Sequence, residues 1–189
     1  GARAFPDGIA EVVKRVIHTT ADFDYADNLA FSPDVIEQAK AALCNGATIV
    51  TDTNMALSGI SKPSLTKLGA KALCLMADPD IAREAKERGV TRAVVSMEHA
   101  AGLDGPLIFA VGNAPTALIR LHELIEKGAV KPALVIGVPV GFVNVVEAKE
   151  LFIGEKTPYI IARGRKGGSN VAAAIVNALL YQLIRREGF

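Results

Sequence analysis

The stretch PLIFAVGNAPTALIRLHELIEKG, residues 106–128, contains the unit from which the fold is built. Residues 106–112 form a nearly continuous apolar run, which is typical of a strand covered on both faces, as in a parallel sheet. A helical pattern begins just after Asn113 and ends at Gly128. The stretch therefore predicts a buried strand followed by a helix, with a short turn between them.

The same alternation extends along the chain in both directions. Four further apolar runs predict strands, at residues 47–52, 71–76, 132–138 and 159–164. Other helices are predicted at 32–46 with Ser32 as N-cap, at 78–89 with Asp78 as N-cap, at 144–154 and at 169–187. Five strands alternating with helices indicate one three-layer α/β/α domain over residues 1–189, with a mainly parallel, flavodoxin-like sheet.

Composition argues against several classes of function. The chain has 189 residues, is 50% hydrophobic and carries a formal net charge of +1, so it lacks the electrostatic footprint of a nucleic-acid-binding protein. Its apolar runs are interrupted by Gly, Pro and Asn and are too short for a membrane span, and no signal peptide is visible. Cys44 and Cys74 stand apart in apolar stretches, which predicts two buried, reduced thiols in a cytoplasmic protein.

One basic loop follows the last predicted strand, at the sheet edge where ligands of such folds bind. This loop, RGRKGGSN at residues 163–170, contains Arg163, Arg165 and Lys166 among three glycines, directly before a helix. It suits a carboxylate or a phosphate, because glycine admits close approach to the backbone and helix N-termini favour anions. The alternative is a solvated turn in which Ser169 caps the helix. The spacing is not that of a P-loop.

The other loops at this edge allow two interpretations each. GNAPTAL (112–118) and GVPVGFVN (137–144) could belong to a binding site or could simply form tight turns. No GxGxxG motif stands between a strand and a helix, which argues against a dinucleotide site. Asp52, at the end of a predicted strand, could be catalytic or could cap the NMALSGI turn that follows it.

His18 lies in RVIHTTADFDYADN, residues 15–28, where an amphipathic run ends. Thr19, Thr20 and Asp22 are able to stop a helix by competing for backbone hydrogen bonds, and His18 is then an ordinary residue of the last turn. The other two histidines, His99 and His122, lie in helical segments without a metal-binding motif. We expect structural roles for both and no metal site.

Five motifs, taken in chain order, resemble one family. They are RVIHTTADFDYA, GATIVTDTNMALSGI, GNAPTAL, ALVIGVPVGFVNVVEAKE and ARGRKGGSNVAAAIVNALL, and they extend over essentially the whole chain. The family is that of the precorrin-8X methylmutases, or precorrin isomerases, of the cobalamin pathway. The resemblance implies a flavodoxin-like fold, a homodimer, and transfer of a methyl group between adjacent carbons of ring C of a tetrapyrrole. It implies no cofactor. Family members usually have an additional N-terminal helical segment, which we expect to be absent here.

The resemblance also implies a set of site residues. The family's histidine corresponds to His18, which is expected to act as an acid on the conjugated ring system. The acetate and propionate groups of the substrate are expected to bind Arg163, Arg165 and Lys166. The other residues expected to contact substrate and product are Thr19, Asp52, Gly112, Asn113, Gly137, Val140, Gly141, Gly167 and Ser169, with Val138 and Phe142 packing on the macrocycle.

Two other functions stay open on the residues alone. One is a non-catalytic, flavodoxin-like module that binds a flavin or a phosphorylated nucleotide through the RGRKGG segment. The other is a carrier that sequesters the corrin product. The sequence is also compatible with both a cobalt-containing and a cobalt-free substrate.

Overall fold

The computed structural model describes residues 4–184, which form one six-stranded sheet flanked by helices. The strands are β1 Leu29–Phe31, β2 Thr48–Thr51, β3 Lys71–Cys74, β4 Leu107–Val111, β5 Leu134–Gly137 and β6 Tyr159–Ala162. The helices are α1 Ile9–Thr20, α2 Tyr25–Asn28, α3 Val35–Cys44, α4 Asn54–Gly59, α5 Lys62–Leu68, α6 Pro79–Arg88, α7 Arg92–Ala101, α8 Pro115–Glu126, α9 Val145–Glu150 and α10 Ser169–Leu183.

The sheet has the strand order β1-β6-β5-β4-β2-β3. The five strands β2 to β6 are parallel, and β1 pairs antiparallel with β6 at one edge. Counted along the chain, the parallel strands have the order 2-1-3-4-5, which is the flavodoxin-like arrangement. The predicted fold class is confirmed, with six strands instead of five. In this arrangement the order reverses between β2 and β4, and ligands bind beyond the carboxyl ends of the strands near that point.

Two hydrophobic cores lie on the two faces of the sheet. Alternate residues of β4 point to opposite faces, so that Ile108 belongs to one core and Phe109 to the other. The first core contains apolar residues of α1, α3 and α10. The second contains apolar residues of α7, α8 and α9. Both faces are covered, which explains why the parallel strands appear in the sequence as continuous apolar runs.

Strand β1 was not predicted, because three residues are too few to show a pattern. Hydrogen bonds at its ends hold it beside β6. The N–H of Arg163 donates to the carbonyl of Asn28, and the N–H of Ser32 donates to the carbonyl of Tyr159. The Ser32 hydroxyl accepts from the N–H of Tyr159. The prediction that Ser32 caps the next helix is therefore wrong: its side chain is used by the sheet, and α3 begins at Val35.

Other differences concern helices and cysteines. Helices α2, α4 and α5 were not predicted, and α7 was expected only as the helical segment that contains His99. All five predicted strands are shorter than the apolar runs that indicated them. The end of the last predicted helix, residues 185–187, lies outside the described residues. Cys44 and Cys74 are free thiols, as predicted, but neither is buried: Cys74 is half-buried, and Cys44 is exposed, because it lies on the solvent side at the end of α3. Within residues 4–184, no helix combines the length and apolar composition that crossing a membrane requires.

Candidate active site at the carboxyl edge of the sheet

His18 lies in the last turn of α1, and other residues end that helix. The Thr20 hydroxyl donates to the carbonyl of Val16 at 2.8 Å, and it accepts from the N–H of Asp22 at 3.2 Å. Ala21 adopts a left-handed conformation with φ of 55°, and its N–H donates to the carbonyl of Ile17 at 2.7 Å. Thr20, Ala21 and Asp22 are sufficient to account for the end of α1. Thr19 and His18 take no part in it, and both are exposed.

The His18 imidazole borders a surface groove of about 1030 Å³ between α1, α3 and α10. Its wall carries charges of both signs, from Lys14, Arg15 and Lys40 and from Asp7, Glu11 and Glu37. The Arg15 guanidinium lies 4.7 Å from the centroid of the Tyr181 ring. Within residues 4–184, no hydrogen bond or ion pair engages the His18 ring. The groove is at the upper end of the volumes of about 300–1,000 Å³ that are usual for small-molecule sites. An exposed imidazole beside a large groove is available to a ligand.

Lys166 connects the end of α1 to the basic loop. Its Nζ donates to Oδ2 of Asp22 at 2.6 Å and to Oδ2 of Asp24 at 2.7 Å. The hydrogen bond from Lys166 lowers the pKa of Asp22 below its usual value, and the same contacts raise the pKa of Lys166. Asp22 is four residues beyond His18, so this contact fixes the loop next to the turn that carries the histidine.

The other two cations of the loop differ in their surroundings. Arg163 forms a two-point ion pair with Glu150, with Nε and Nη2 at 2.9 and 2.8 Å from the carboxylate oxygens. Arg165 lies 5.8 Å from the centroid of the Phe142 ring and has no ion pair with any described residue. Of the three predicted anion-binding side chains, Arg165 is the one whose charge is uncompensated. These residues line a separate, shallow cavity of about 570 Å³ together with Asn28 and Val146.

Lys149, which was not predicted as a site residue, supports the loop through two hydrogen bonds. Its side chain is fully buried, and its Nζ donates to the carbonyls of Gly164 at 2.8 Å and Lys166 at 2.9 Å. Burial lowers the pKa of Lys149 to about 8. A signal was present in the sequence: Val145, Ala148 and Phe152 have helical spacing and are buried, and Lys149 lies on the same face.

Asp52 lies at the reversal of strand order, and its carboxylate holds the turn after β4. Oδ1 accepts the N–H of Gly112 at 2.8 Å, and Oδ2 accepts those of Asn113 and Ala114 at 2.8 and 2.6 Å. Burial raises the pKa of Asp52, and the three N–H donors oppose that rise. The prediction that Asp52 caps the following turn is wrong, because the hydroxyl of Thr53 accepts from Ala56 and caps α4. Asn113 itself is exposed.

The glycines of these loops allow the loops to approach one another. A Cβ on Gly167 would lie 2.0 Å from the carbonyl oxygen of Val138, and one on Gly112 would lie 2.8 Å from that of Gly168. Gly137 is buried, and a Cβ there would lie 2.6 Å from Ile161. At Gly112 and Gly167 glycine is required by contacts with backbone atoms, whereas at Gly137 the nearest atom is the end of the Ile161 side chain. Substrate contact at Gly112, Gly137 and Gly167 stays a prediction.

Gly141 and Ser169 join the loops by hydrogen bonds. The N–H of Gly141 donates to the carbonyl of Arg165 at 3.1 Å. The hydroxyls of Ser169 and Thr53 lie 2.7 Å apart and share a hydrogen bond. The alternative in which Ser169 caps the last helix is wrong, because Gly168 occupies the N-cap position and Ser169 is the first helical residue. The ends of β2, β5 and β6 are thereby connected at one edge.

Large apolar side chains are exposed around this edge. Phe142 is 85% exposed and Phe23 is 78% exposed, and Met55, Val140 and Val143 are also accessible. They follow the carboxyl ends of β2 and β5 or, in the case of Phe23, lie between the two aspartates that contact Lys166. Val138 is fully buried, so the expectation that it packs on a ligand is wrong. Val140 and Phe142 remain available for such a contact.

The other two histidines occupy ordinary surroundings. His99 Nε2 lies 2.7 Å from Oε2 of Glu84, and the ring of His122 meets that of Phe152 edge-on at 5.6 Å. Among residues 4–184, no group of three or more His, Cys, Asp or Glu side chains is arranged to hold a metal ion.

The strand order and the connected loops define a flavodoxin-like α/β protein with its candidate site at the carboxyl edge of the sheet. Comparison with known proteins gives the family: the model described as precorrin-8X methylmutase matches residues 1–182. The chain belongs to the precorrin-8X methylmutase family. It is therefore an isomerase of cobalamin biosynthesis.

Individual relatives agree with this assignment. The cobalt-precorrin-8 methylmutase of Salmonella typhimurium is 50% identical over 175 residues, which cover 91% of this chain and 80% of that protein. The precorrin-8X methylmutase of Pseudomonas aeruginosa is 41% identical over 177 residues, covering 92% and 84%. Among solved structures, the precorrin-8X methylmutase of Thermus thermophilus aligns with a TM-score of 0.87 at 39% identity, covering 95% and 88%.

Proposed function

We propose that this protein moves a methyl group between adjacent ring C carbons of precorrin-8X or its cobalt-containing counterpart, with His18 as the acid. The observation that carries the proposal is the family match over residues 1–182. The relatives include proteins named for each of the two substrates. The products are hydrogenobyrinic acid or the corresponding cobalt compound.

The role of His18 is supported by its accessibility. Protonation of the conjugated ring makes the carbon that receives the methyl group more electron-poor, and an imidazole can hold and release that proton near neutral pH. The ring of His18 is exposed at the large groove, and no described residue engages it. Thr19, the next exposed residue, is proposed to contact the substrate beside it.

The binding of the substrate carboxylates is assigned to the basic loop. Arg165 is the strongest candidate, because its guanidinium is exposed and unpaired among the described residues, and it can bind a carboxylate through two N–H groups. Lys166 and Arg163 have donors left for a carboxylate, but their charges are already compensated by Asp22, Asp24 and Glu150. Phe142 and Val140 are proposed to lie against the apolar face of the macrocycle.

We further propose a cytoplasmic homodimer with the substrate close to the subunit interface. The exposed apolar side chains of Phe23, Met55 and Phe142 support this assembly, because such residues are enriched at interfaces between proteins. The groove beside His18 and the cavity beside Arg165 are separate in one chain. A second copy could therefore complete the enclosure of a large ligand.

Substitution of His18 tests the catalytic assignment. His18→Ala is expected to bind hydrogenobyrinic acid within a few-fold of the wild type, because the interaction is made mainly in the transition state. Turnover is expected to fall by roughly 100-fold or more, the scale of a missing general acid. His18→Asn, which cannot exchange a proton, is expected to match Ala. Binding is measured from the change in the visible spectrum. Turnover is measured with both precorrin-8X and cobalt-precorrin-8.

The same measurements identify the other outcomes. Near-normal turnover in both variants would contradict the acid role of His18. A wild-type protein that binds the corrin but turns over neither substrate would be a carrier. A spectral change only with flavin would indicate a non-catalytic binding module. His99→Ala is the matched control, since His99 lies on α7 beside Glu84 and is expected to leave turnover unchanged.

A further inference from the structure

Three consecutive carbonyls of the basic loop, those of residues 164–166, all accept hydrogen bonds. Those of Gly164 and Lys166 accept from the ammonium of Lys149, and that of Arg165 accepts from the N–H of Gly141. The two carbonyls above the buried ammonium need such a donor, because an unpaired buried carbonyl is costly. One side chain, that of Lys149, satisfies two of the three.

The N–H groups of the same segment are unpaired among the described residues. Within residues 4–184, the N–H groups of Gly164, Arg165, Lys166 and Gly167 donate to no protein acceptor. The segment is bounded on both sides by fixed N–H groups: that of Arg163 donates to Asn28, and that of Gly168 donates to Val138. Successive free N–H groups form concave sites for anions. The loop therefore offers backbone donors in addition to the guanidinium of Arg165.

Lys149 has no acidic partner that would explain its burial. Its ammonium is fully buried, and no carboxylate of a described residue forms an ion pair with it. An apolar side chain at this position would complete the buried face formed by Val145, Ala148 and Phe152. A buried lysine is retained at the expense of desolvating its charge. What it provides in return is two donors and a positive charge directly beneath the loop.

We propose that Lys149 is a positioning residue of the substrate site, which holds the backbone of residues 164–166 so that its N–H groups and Arg165 face the substrate carboxylates. The inference rests on the proposed function of this loop. Lys149 does not touch the substrate in this assignment. Its effect is exerted through the loop, and it is expected to change substrate binding much more than the chemical step.

A first experiment observes the loop without any ligand. Amide hydrogen exchange is compared in the wild type and in Lys149→Met, which keeps the length of the side chain and removes its donors. The N–H groups of Gly141 and Gly168 report on the loop, because each forms one of its fixed hydrogen bonds. Both are expected to exchange at least about tenfold faster in the variant. Unchanged exchange would overturn the proposal.

A second experiment couples Lys149 to the ligand. Lys149→Met is expected to weaken binding of hydrogenobyrinic acid roughly tenfold or more, the loss typical of one charge-assisted contact. KM is expected to rise in parallel, with kcat within a few-fold of the wild type. Lys127→Met is the matched control, because Lys127 is an exposed lysine at the end of α8 and its loss changes the net charge equally.

A double-mutant cycle separates positioning from general destabilisation. If Lys149 orients Arg165, then Arg165→Ala weakens binding in the wild type but adds less than about twofold in the Lys149→Met background, because residues coupled through a shared backbone segment are not additive. Fully additive losses would overturn the proposal. If Lys149→Met does not fold, Lys149→Gln, which retains a donor, replaces it. Failure of both to fold would also overturn the proposal, because Lys149 would then serve the whole fold.

The two proposals can fail separately. A wild-type protein that neither binds the corrin nor converts precorrin-8X would refute the proposed function. The hydrogen-exchange result would still decide whether Lys149 holds the loop.

Discussion

The sequence left open whether Asp52 has a structural or a catalytic role, and replacement of Asp52 by Asn distinguishes the two. The carboxylate is 1% exposed and accepts three backbone N–H groups. Asparagine has the same shape, but only one of its two terminal atoms can accept. The best arrangement keeps the oxygen on the N–H groups of Asn113 and Ala114, and it turns the amide nitrogen toward the N–H of Gly112.

The expected loss of stability follows from the number of N–H groups that lose their acceptor. The buried N–H of Gly112 loses a bond to a charged group, worth about 1.5–3 kcal/mol, and the two remaining bonds become weaker by losing charge assistance. Relief from burying a negative charge offsets a part of the loss, because burial raises the pKa of Asp52. We expect Asp52→Asn to lower the free energy of unfolding by about 2–3 kcal/mol.

Urea unfolding at neutral pH measures this difference, with Asp104→Asn as the control. Asp104 is exposed, so its replacement is expected to change stability by less than about 0.5 kcal/mol. A folded Asp52→Asn protein is expected to retain most of its kcat, with weaker substrate binding because the 112–114 turn is less fixed. A stability change below about 1 kcal/mol, together with a turnover loss of about 100-fold, would refute the structural role and favour catalysis.

Two further predictions concern pH and assembly. The pKa of Lys149 falls from 10.5 in the unfolded chain to about 8 in the fold, so the unfolded state binds more protons between these values and stability rises with pH there. The free energy of unfolding of the wild type minus that of Lys149→Met is therefore expected to increase by about 3 kcal/mol from pH 7 to pH 11, at about 1.4 kcal/mol per pKa unit. Urea unfolding at several pH values measures this difference, and a difference that does not change with pH would contradict the prediction. Light scattering is expected to give a dimer mass at micromolar concentrations, whereas a fully active monomer would exclude the proposed homodimer.

Most of the parallel sheet could be predicted, because each strand is buried on both faces and therefore appears as an apolar run. Residues 106–112 are the clearest case, and the structure has β4 at Leu107–Val111. Strand β1 could not be predicted, since it depends on hydrogen bonds from Ser32 and Arg163 to residues far along the chain. Helix α3 illustrates the same limit. Ser32 lies where an N-cap is expected from the sequence, but its hydroxyl accepts from the N–H of Tyr159 instead.

The places of His18 and of the loops could be predicted from the sequence, but the hydrogen-bond partners of the site residues could not. The resemblance identified His18, and the strand pattern located the loops. Lys149 was missed because a lysine within a helix is normally exposed, and its burial depends on carbonyls in a loop 15 and 17 residues away. Glycines were expected to admit a ligand. At Gly167, however, it is the carbonyl oxygen of Val138 that leaves no room for a side chain.

The three cations of the basic loop look equivalent in the sequence, but each of them has different partners in the structure. Arg163 is held by Glu150 and fastens the loop to α9. Lys166 is held by Asp22 and Asp24 and fastens it to the end of α1, one helical turn beyond His18. Under the proposed function, a substrate carboxylate bound at Arg165 would lie on a backbone that is connected through an ion pair to the helix that carries His18. Since exposed ion pairs are individually weak, a ligand carboxylate that competes for Lys166 would be able to break this connection.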